Sequence, residues 1–297
     1  MIDKNINISW WNTGLVPPVA SKIKEPICSK KALKIEQVLI HIMEKNPIDI
    51  MILGEVSESC TTFLRELATK THMSLVICTE KVGRLYFDIA VLYESTKLKF
   101  IDKENLTAKT SSGSTLKCGT HLLFREEFSL EQINIFASHW PSRLHRPEKR
   151  VIIGQKLRQH VDFILAKQSK YVILCGDYND QPFGQSIVEG IEATKDIDIV
   201  KLKPDMLYNP FWRHLDKRID EHTFCGSYYH KKNDTDKWFT YDQMMFSSEF
   251  LKDTPGWKLD RNSSSFHSDN ISEIDIGFNF LSVFDHIPIY SKIKHIG

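Results

Sequence analysis

The chain has 297 residues, of which 41% are hydrophobic and 26% charged, and its 39 basic and 38 acidic side chains leave a formal charge of +1. This is the composition of an ordinary globular protein, and no apolar run is long enough to cross a bilayer, which excludes a membrane-spanning function. A near-neutral field also excludes general attraction to polyanions, so binding of nucleic acid or anionic lipid must rest on a local patch.

The first five residues, Met1-Ile2-Asp3-Lys4-Asn5, lack the basic and apolar regions of a secretory leader, so no export is expected. An apolar strand pattern follows at 6–11, and the repeat Ile35, Val38, Leu39, Ile42 predicts a helix over 31–44. Further strand patterns lie at 48–53, 74–78 and 89–93, and the turn cluster at 110–114 reads as a hairpin loop between β-like runs. A strand at 133–137 precedes a helix after Pro147, marked by Ile153, Leu157, Val161 and Ile164, and a strand at 171–175. A second hairpin loop is expected at 231–236, a polar irregular excursion at 257–273 and a last strand at 287–293. With no linker and no repeat, residues 1–297 are expected to form one domain of interleaved strands and helices. The six cysteines show no C-x-x-C spacing, which favours reduced thiols in the cytoplasm over a zinc or disulfide framework.

Several strand ends carry groups suited to phosphate chemistry. Gly176-Asp177-Tyr178-Asn179-Asp180 follows the 171–175 run, and an extended chain there aims Asp177 and Asn179 to one side. A carboxylate beside an amide supplies oxygen ligands for a hard cation, and the amide also donates; the competing reading is a turn that merely ends a strand. Glu55 stands at the mouth of the 48–53 strand, where burial is costly without a partner or a metal, although Ser57 and Ser59 can instead mark a helix cap. His139 and Arg143, in Ser138-His139-Trp140-Pro141-Ser142-Arg143, offer an imidazole and a guanidinium fork to a phosphoryl group. A lone strand-end histidine is more often a satisfied structural residue. The adjacent Asp285 and His286 should diverge and serve different partners.

Taken in order, Asn12 in Trp10-Trp11-Asn12, Glu55, His139, the Gly-Asp-x-Asn turn at 176–179, Asp242 in Tyr241-Asp242-Gln243-Met244, and Asp285-His286 resemble the endonuclease/exonuclease/phosphatase superfamily, over residues 7–291. The resemblance implies the DNase I-like fold, a four-layered α/β sandwich of two mostly antiparallel sheets packed face to face with helices outside. It implies a Mg²⁺ (or Mn²⁺) site at Asn12 and Glu55, with Glu55 the main ligand, while Asp285 on its own chemistry can serve a water or the metal. Asp177 and Asn179 would position the attacking water and the phosphate. Asp242 would orient His286, and His139, with Asp88 as a weaker candidate partner, would also face the phosphate. Many relatives carry Asn where this chain has Ser138.

The substrate is less sharply marked. The Pro-Ala-Trp-Cys-Asp-Arg stretch of inositol polyphosphate 5-phosphatases has no counterpart at Trp238-Phe239-Thr240-Tyr241-Asp242-Gln243, and the Tyr-x-Pro-Asn element of abasic-site endonucleases is not evident. His-Trp-Pro-Ser-Arg is similar to bacterial members described as predicted nucleases, so a nucleic acid, DNA or RNA, is the expected partner. Arg143, Arg146, Lys149, Arg150, Lys156 and Arg158 could track a phosphate backbone or simply form the solvated face of a helix. Trp212, Tyr228, Tyr229, Trp238 and Phe239 could stack bases, line an apolar headgroup pocket or belong to the core. A lipid or small-nucleotide phosphodiesterase and a non-catalytic binding module are the alternatives.

Overall fold

Strands whose residues are buried on both faces account for the apolar runs of the sequence, and the computed structural model describes them within residues 4–23, 25–167, 169–215, 224–268, 271 and 276–297. They form two seven-stranded sheets. The first runs in the order Gly256–Leu259, Ile289–Ile296, Asn5–Asn12, Ile50–Gly54, Ile89–Tyr93, Ser74–Ile77, with Ser265–Phe266 paired beside Ile289–Ile296. The second runs Ala193–Thr194, Leu207–Tyr208, Asp242–Phe246, Tyr171–Asp177, Gln132–His139, Thr115–Glu126, Leu98–Lys109. Most pairs are antiparallel; Asn5–Asn12 with Ile50–Gly54, Tyr171–Asp177 with Gln132–His139, and Ala193–Thr194 with Leu207–Tyr208 are parallel.

Alternation along each strand sorts side chains between layers. Ile133, Ile135, Ile173, Cys175, Met244 and Phe246 join the core between the sheets. Their neighbours Phe136, Val172, Leu174 and Met245 join a second core with Ile153, Leu157 and Val161 of the helix Pro147–Ala166. Helices Ser29–Lys45 and Thr61–Lys70 pack on the first sheet through Ile35, Val38, Leu39, Ile42 and Leu64, Leu67. Each such side chain stabilises by about 1.5–3 kcal/mol relative to exposure. The layering is that of the DNase I-like sandwich.

Both expected hairpin loops lie between paired strands, Lys109↔Thr115 and Tyr229↔Trp238 closing them. The expected excursion at 257–273 is corrected in part. Its beginning forms the edge strand Gly256–Leu259 and Ser265–Phe266 forms another, because Trp257, Leu259 and Phe266 bury against the final strand; residues 269–270 and 272–275 lie outside the described residues. Cys28, Cys60, Cys78, Cys118 and Cys175 are free thiols. Among the described residues no helix is long and apolar enough to cross a membrane.

Candidate active site

One rung of the second sheet carries three of the sequence-predicted residues. Asp177 pairs with His139 on its parallel side and with Asp242 on its antiparallel side. At the matching end of the first sheet Asn12 pairs with Gly54, which delivers Glu55 one residue later. His286 precedes the strand Ile289–Ile296 and is held by a bridge to Tyr228 and by Ile287 N donating to Ser227 O at 2.7 Å.

The expectation that the chain stays extended through Asn179 is corrected. The strand ends at Asp177, and Asn179 adopts φ 49, closing a turn in which its backbone N–H donates to Asp177 Oδ1 at 2.9 Å. Asn tolerates this left-handed region, and the turn still returns the amide to the carboxylate: Asn179 Nδ2 lies 3.2 Å from Asp177 Oδ2. Glu55 has φ 55, a conformation that costs on the order of 1–3 kcal/mol for such a residue and persists only where neighbours impose it.

Asp177 Oδ2 is the point of convergence. Asn12 Nδ2 donates to it at 3.1 Å, and the Nε2 atoms of His139 and His286 stand 3.8 and 3.7 Å away. Asn12 Nδ2 also reaches Glu55 Oε1 at 3.3 Å, and His139 Nε2 is 3.7 Å from that same oxygen. Each histidine is backed by a carboxylate. His139 Nδ1 meets Asp88 Oδ2 at 2.5 Å, and His286 Nδ1 meets Asp242 Oδ2 at 2.8 Å. These bonds direct both Nε2 atoms toward Asp177.

The carboxylates behind the histidines are themselves anchored. Lys117 forms an ion pair with Asp88 Oδ1, Trp10 Nε1 donates to Asp242 Oδ1 at 2.7 Å, and Asp242 N donates to Ser227 Oγ at 2.7 Å. Burial alone would raise the Asp88 carboxyl, but Lys117 and His139 hold it at about 2. Burial would lower both imidazoles; Asp88 keeps His139 above its ordinary value, and Asp242, then Asp177, push His286 to about 10. Burial pushes the Asp177 carboxyl up, partly opposed by His286.

A hard divalent cation prefers carboxylate and carbonyl oxygens. Asp177, Asp242 and His286 bring potential ligand atoms within 4.8 Å of one another, but Asp242 already spends one oxygen on Trp10 and the other on His286. Glu55, which meets Asn12 Nδ2 and faces His139 through Oε1, keeps its other oxygen open among the described residues, and a carboxylate there fits the chemistry of such an ion. Asn12 turns its NH₂ toward the carboxylates of Glu55 and Asp177 and commits its Oδ1 to Gly14 N–H at 3.1 Å, so ligation through Oδ1 requires the amide to turn over. Asp285 is exposed while His286 is buried, the divergence their adjacency predicts. Among the described residues no hydrogen bond or ion pair engages the Asp285 carboxylate.

Lys31, which carries no local motif signal, enters this region from the helix Ser29–Lys45. Its ammonium donates to Gly14 O at 2.5 Å and is held below the usual lysine range by burial, against the pull of Asp285 and Glu55. Lys117 and the anchoring role of Trp10 were equally silent in the sequence, since they act through long-range contacts.

Arg143, from the basic segment, lies at this end of the sheet, its Nη1 donating to Tyr241 Oη at 3.3 Å. Arg150 and Arg158 are buried, donating to Pro141 and Ser142 carbonyls and to Asp162, which makes them structural. Tyr241 stacks between Tyr228 at 5.2 Å and Phe239 at 5.1 Å, and Tyr228 meets the His286 ring at 4.7 Å. Tyr229 and Trp238 pair separately at 4.9 Å, and Trp212 sits against Phe183 at 6.3 Å. Ser138 is buried and donates to Cys118 O at 3.1 Å, on the strand face opposite His139.

A family profile described as "Endonuclease/Exonuclease/phosphatase family" matches residues 15–279. No curated protein matches by sequence. Among solved structures, the chain is similar to the human Nocturnin catalytic domain with bound sulfate (TM-score 0.64, 13% identity, 99% of this chain and 96% of that one). It is similar to D. rerio TDP2 complexed with single strand DNA product (TM-score 0.62, 18% identity, 98% and 100%). ANGEL2, a 2',3'-cyclic phosphatase in complex with adenosine-2',3'-vanadate, is a third (TM-score 0.59, 12% identity, 99% and 96%).

Proposed function

The chain belongs to the endonuclease/exonuclease/phosphatase family, and from that premise we propose that it is a Mg²⁺-dependent phosphodiester hydrolase, in first place a nuclease. The observation that carries this reading is the pair of carboxylate-backed histidines facing one buried carboxylate oxygen at 3.7 and 3.8 Å. Those gaps are too long for direct hydrogen bonds, so both Nε2 atoms are left free to meet a phosphoryl oxygen or a water lying beside the carboxylate.

In the proposed reaction Asp177 accepts the proton of the attacking water, a role favoured by the upward push that burial gives its carboxyl. Asn179 orients the water and the phosphate, its Nδ2 fixed by Trp140 O at 2.9 Å. His139 and His286 donate from Nε2 to phosphoryl oxygens as negative charge grows there. Asp242 keeps His286 oriented and protonated, and Asp88 does the same for His139. Glu55, with Asn12 and Asp285, would hold the cation, which when bound supplies charge stabilisation at the phosphoryl group. Arg143 would clamp a neighbouring phosphate.

The substrate proposal rests on Arg143 and the Tyr228–Tyr241–Phe239 column beside His286. A polymer with phosphates and unstacked bases suits both features, and TDP2 with its single strand DNA product is a relative of that kind. The second reading, a small-nucleotide phosphodiesterase, is favoured by the column's contact with His286 itself, which places one base close to the reacting phosphate; ANGEL2 with its adenosine vanadate fits that pattern. A reducing compartment, the cytoplasm, is the proposed location on the strength of the buried free thiols of Cys60, Cys78, Cys118 and Cys175.

The test is hydrolysis of single- and double-stranded DNA, RNA, a cyclic dinucleotide, a phosphoinositide and sphingomyelin with Mg²⁺ or Mn²⁺, with EDTA and Asp177→Ala as controls. Cleavage of a nucleic acid that both controls abolish is expected. Turnover of a small nucleotide alone keeps the chemistry and selects the second reading; turnover of none rejects the hydrolase.

A further inference from the structure

Two cavities of about 530 and 510 Å³ share Ile197, Lys258, Leu259, Arg261 and Ile296 as a common wall, forming one trough along the edge strand Gly256–Leu259. It lies far from the site above. Lys294 on its rim pairs with Asn5, at the opposite end of the strand from Asn12. At a rise of roughly 3.3 Å per residue the two ends are about 23 Å apart.

The charge of the trough is lopsided. Lys201, Arg213, Lys252, Lys258, Arg261 and Lys294 line it, against Asp253 and Asp260 as its acidic members. Lys294 is paired with Asp260 at 2.6 Å, Lys201 with Asp253 at 3.3 Å and Lys252 with Glu249 at 2.6 Å. Among the described residues no carboxylate closes an ion pair on Arg213, Lys258 or Arg261.

Lys258 is the unusual member. It is only 7% exposed, yet its ammonium, with three hydrogens to place, has one acceptor among the described residues, Glu249 O at 3.0 Å. It also stands directly opposite Lys294 in the strand pairing, and like charges in that position destabilise a sheet. A buried cation and two guanidiniums that meet no carboxylate among the described residues, Arg213 donating only to Pro210 O at 3.2 Å, are jointly relieved at one cavity by an anion with several oxygens. The rest of the wall, Ile197, Leu259 and Ile296 with Tyr208, is apolar and suits a flat or apolar body attached to that anion.

We infer that this trough is a second ligand site that binds a small phosphate-bearing molecule of the nucleoside phosphate class, separate from the hydrolytic site. The phosphates contact Arg213, Lys258 and Arg261, and the base or sugar lies against Ile197, Leu259 and Ile296.

Calorimetric titration in EDTA tests this with ADP, pyrophosphate, adenosine and a short single-stranded oligonucleotide. The proteins are the wild type, Asp177→Ala and the double variant Arg213→Ala/Arg261→Ala, whose two positions are exposed and should leave the melting temperature unchanged. ADP and pyrophosphate are expected to bind wild type and Asp177→Ala alike, at least 10-fold more weakly to the double variant, with adenosine silent. Restoring charge with Arg213→Lys/Arg261→Lys should recover part of the affinity. The inference is overturned if ADP does not bind at millimolar concentration, if adenosine binds as well as ADP, or if the double variant binds ADP normally. It is also overturned if only the oligonucleotide loses affinity, which would make the trough a track for a polymer.

Discussion

His139 and His286 present their Nε2 atoms to the same carboxylate oxygen, 3.8 and 3.7 Å from Asp177 Oδ2. His286 owes its raised pKa first to Asp242, against the opposing effect of burial. Asp242→Asn should therefore lower kcat by about 10²–10⁴-fold, with little change in KM. A raised imidazole stays protonated until the pH passes its folded value, so the basic limb set by His286 should move from near 10 toward the ordinary histidine value of 6.5. A kcat profile whose basic limb does not move would remove His286 from the acid role.

Glu55 offers its carboxylate to the site from a strained backbone position, φ 55. Glu55→Gln keeps the shape and removes the charge, and should weaken Mn²⁺ or Mg²⁺ binding by roughly 10-fold or more, because hard cations depend on ligand charge. Direct calorimetry of the ion reads this without any substrate. Unaltered binding would assign the cation to other residues.

Asp88 is buried between Lys117 and His139 with its carboxyl held at about 2 instead of 3.8. A depressed carboxyl stabilises the fold above its unfolded value, and that stability disappears as pH falls from about 4 to about 2. The loss should be on the order of 2 kcal/mol in urea unfolding. Asp88→Asn should lack this part of the acid slope and be destabilised at neutral pH by about 3–5 kcal/mol, since Lys117 is left without its partner. The same slope in the variant would place the acid sensitivity elsewhere.

Arg143 reaches the site through Tyr241, whereas Arg150 is buried on backbone carbonyls. If the substrate is a nucleic acid, Arg143→Ala should reduce the slope of log K against log salt by about 1. Arg150→Ala should instead lower the melting temperature. An unchanged salt slope in Arg143→Ala would return this arginine to the surface.

Gly176 has φ 154, and a Cβ there would stand 2.0 Å from Ser138 O. Neither strand can yield without breaking the rung that joins Asp177 to His139. Gly176→Ala should cost several kcal/mol, about 3 or more, or fail to fold. A variant of near wild-type stability would mean that the two strands can separate locally at no great cost.

Much of this was readable from residues in order. Asn12, Glu55, His139 and Asp177 follow apolar runs whose lengths mark where each strand stops, and His286 stands just before the last such run, so each was legible as a strand-end residue. The conformation after Asp177 was not readable, because a Gly-Asp-Tyr-Asn string is compatible with both an extended chain and the turn that Asn179 makes at φ 49. Lys31 and Lys117 were invisible for a different reason. Each lies in an unremarked stretch of its own element, and only the tertiary packing brings it to Gly14 O or Asp88. The polar stretch beginning at Trp257 misled because Lys258 lies within, and Asp260 directly after, a short edge strand whose partners belong to the chain's last residues.

The rung that aligns His139, Asp177 and Asp242 would make the proposed activity a report on strand register. A slip of one residue in either pairing turns the displaced side chain to the other face of the sheet. Molecules that close the sheet in the wrong register would then be silent rather than altered in specificity. Specific activity per folded molecule, followed during refolding, would count the correctly registered fraction.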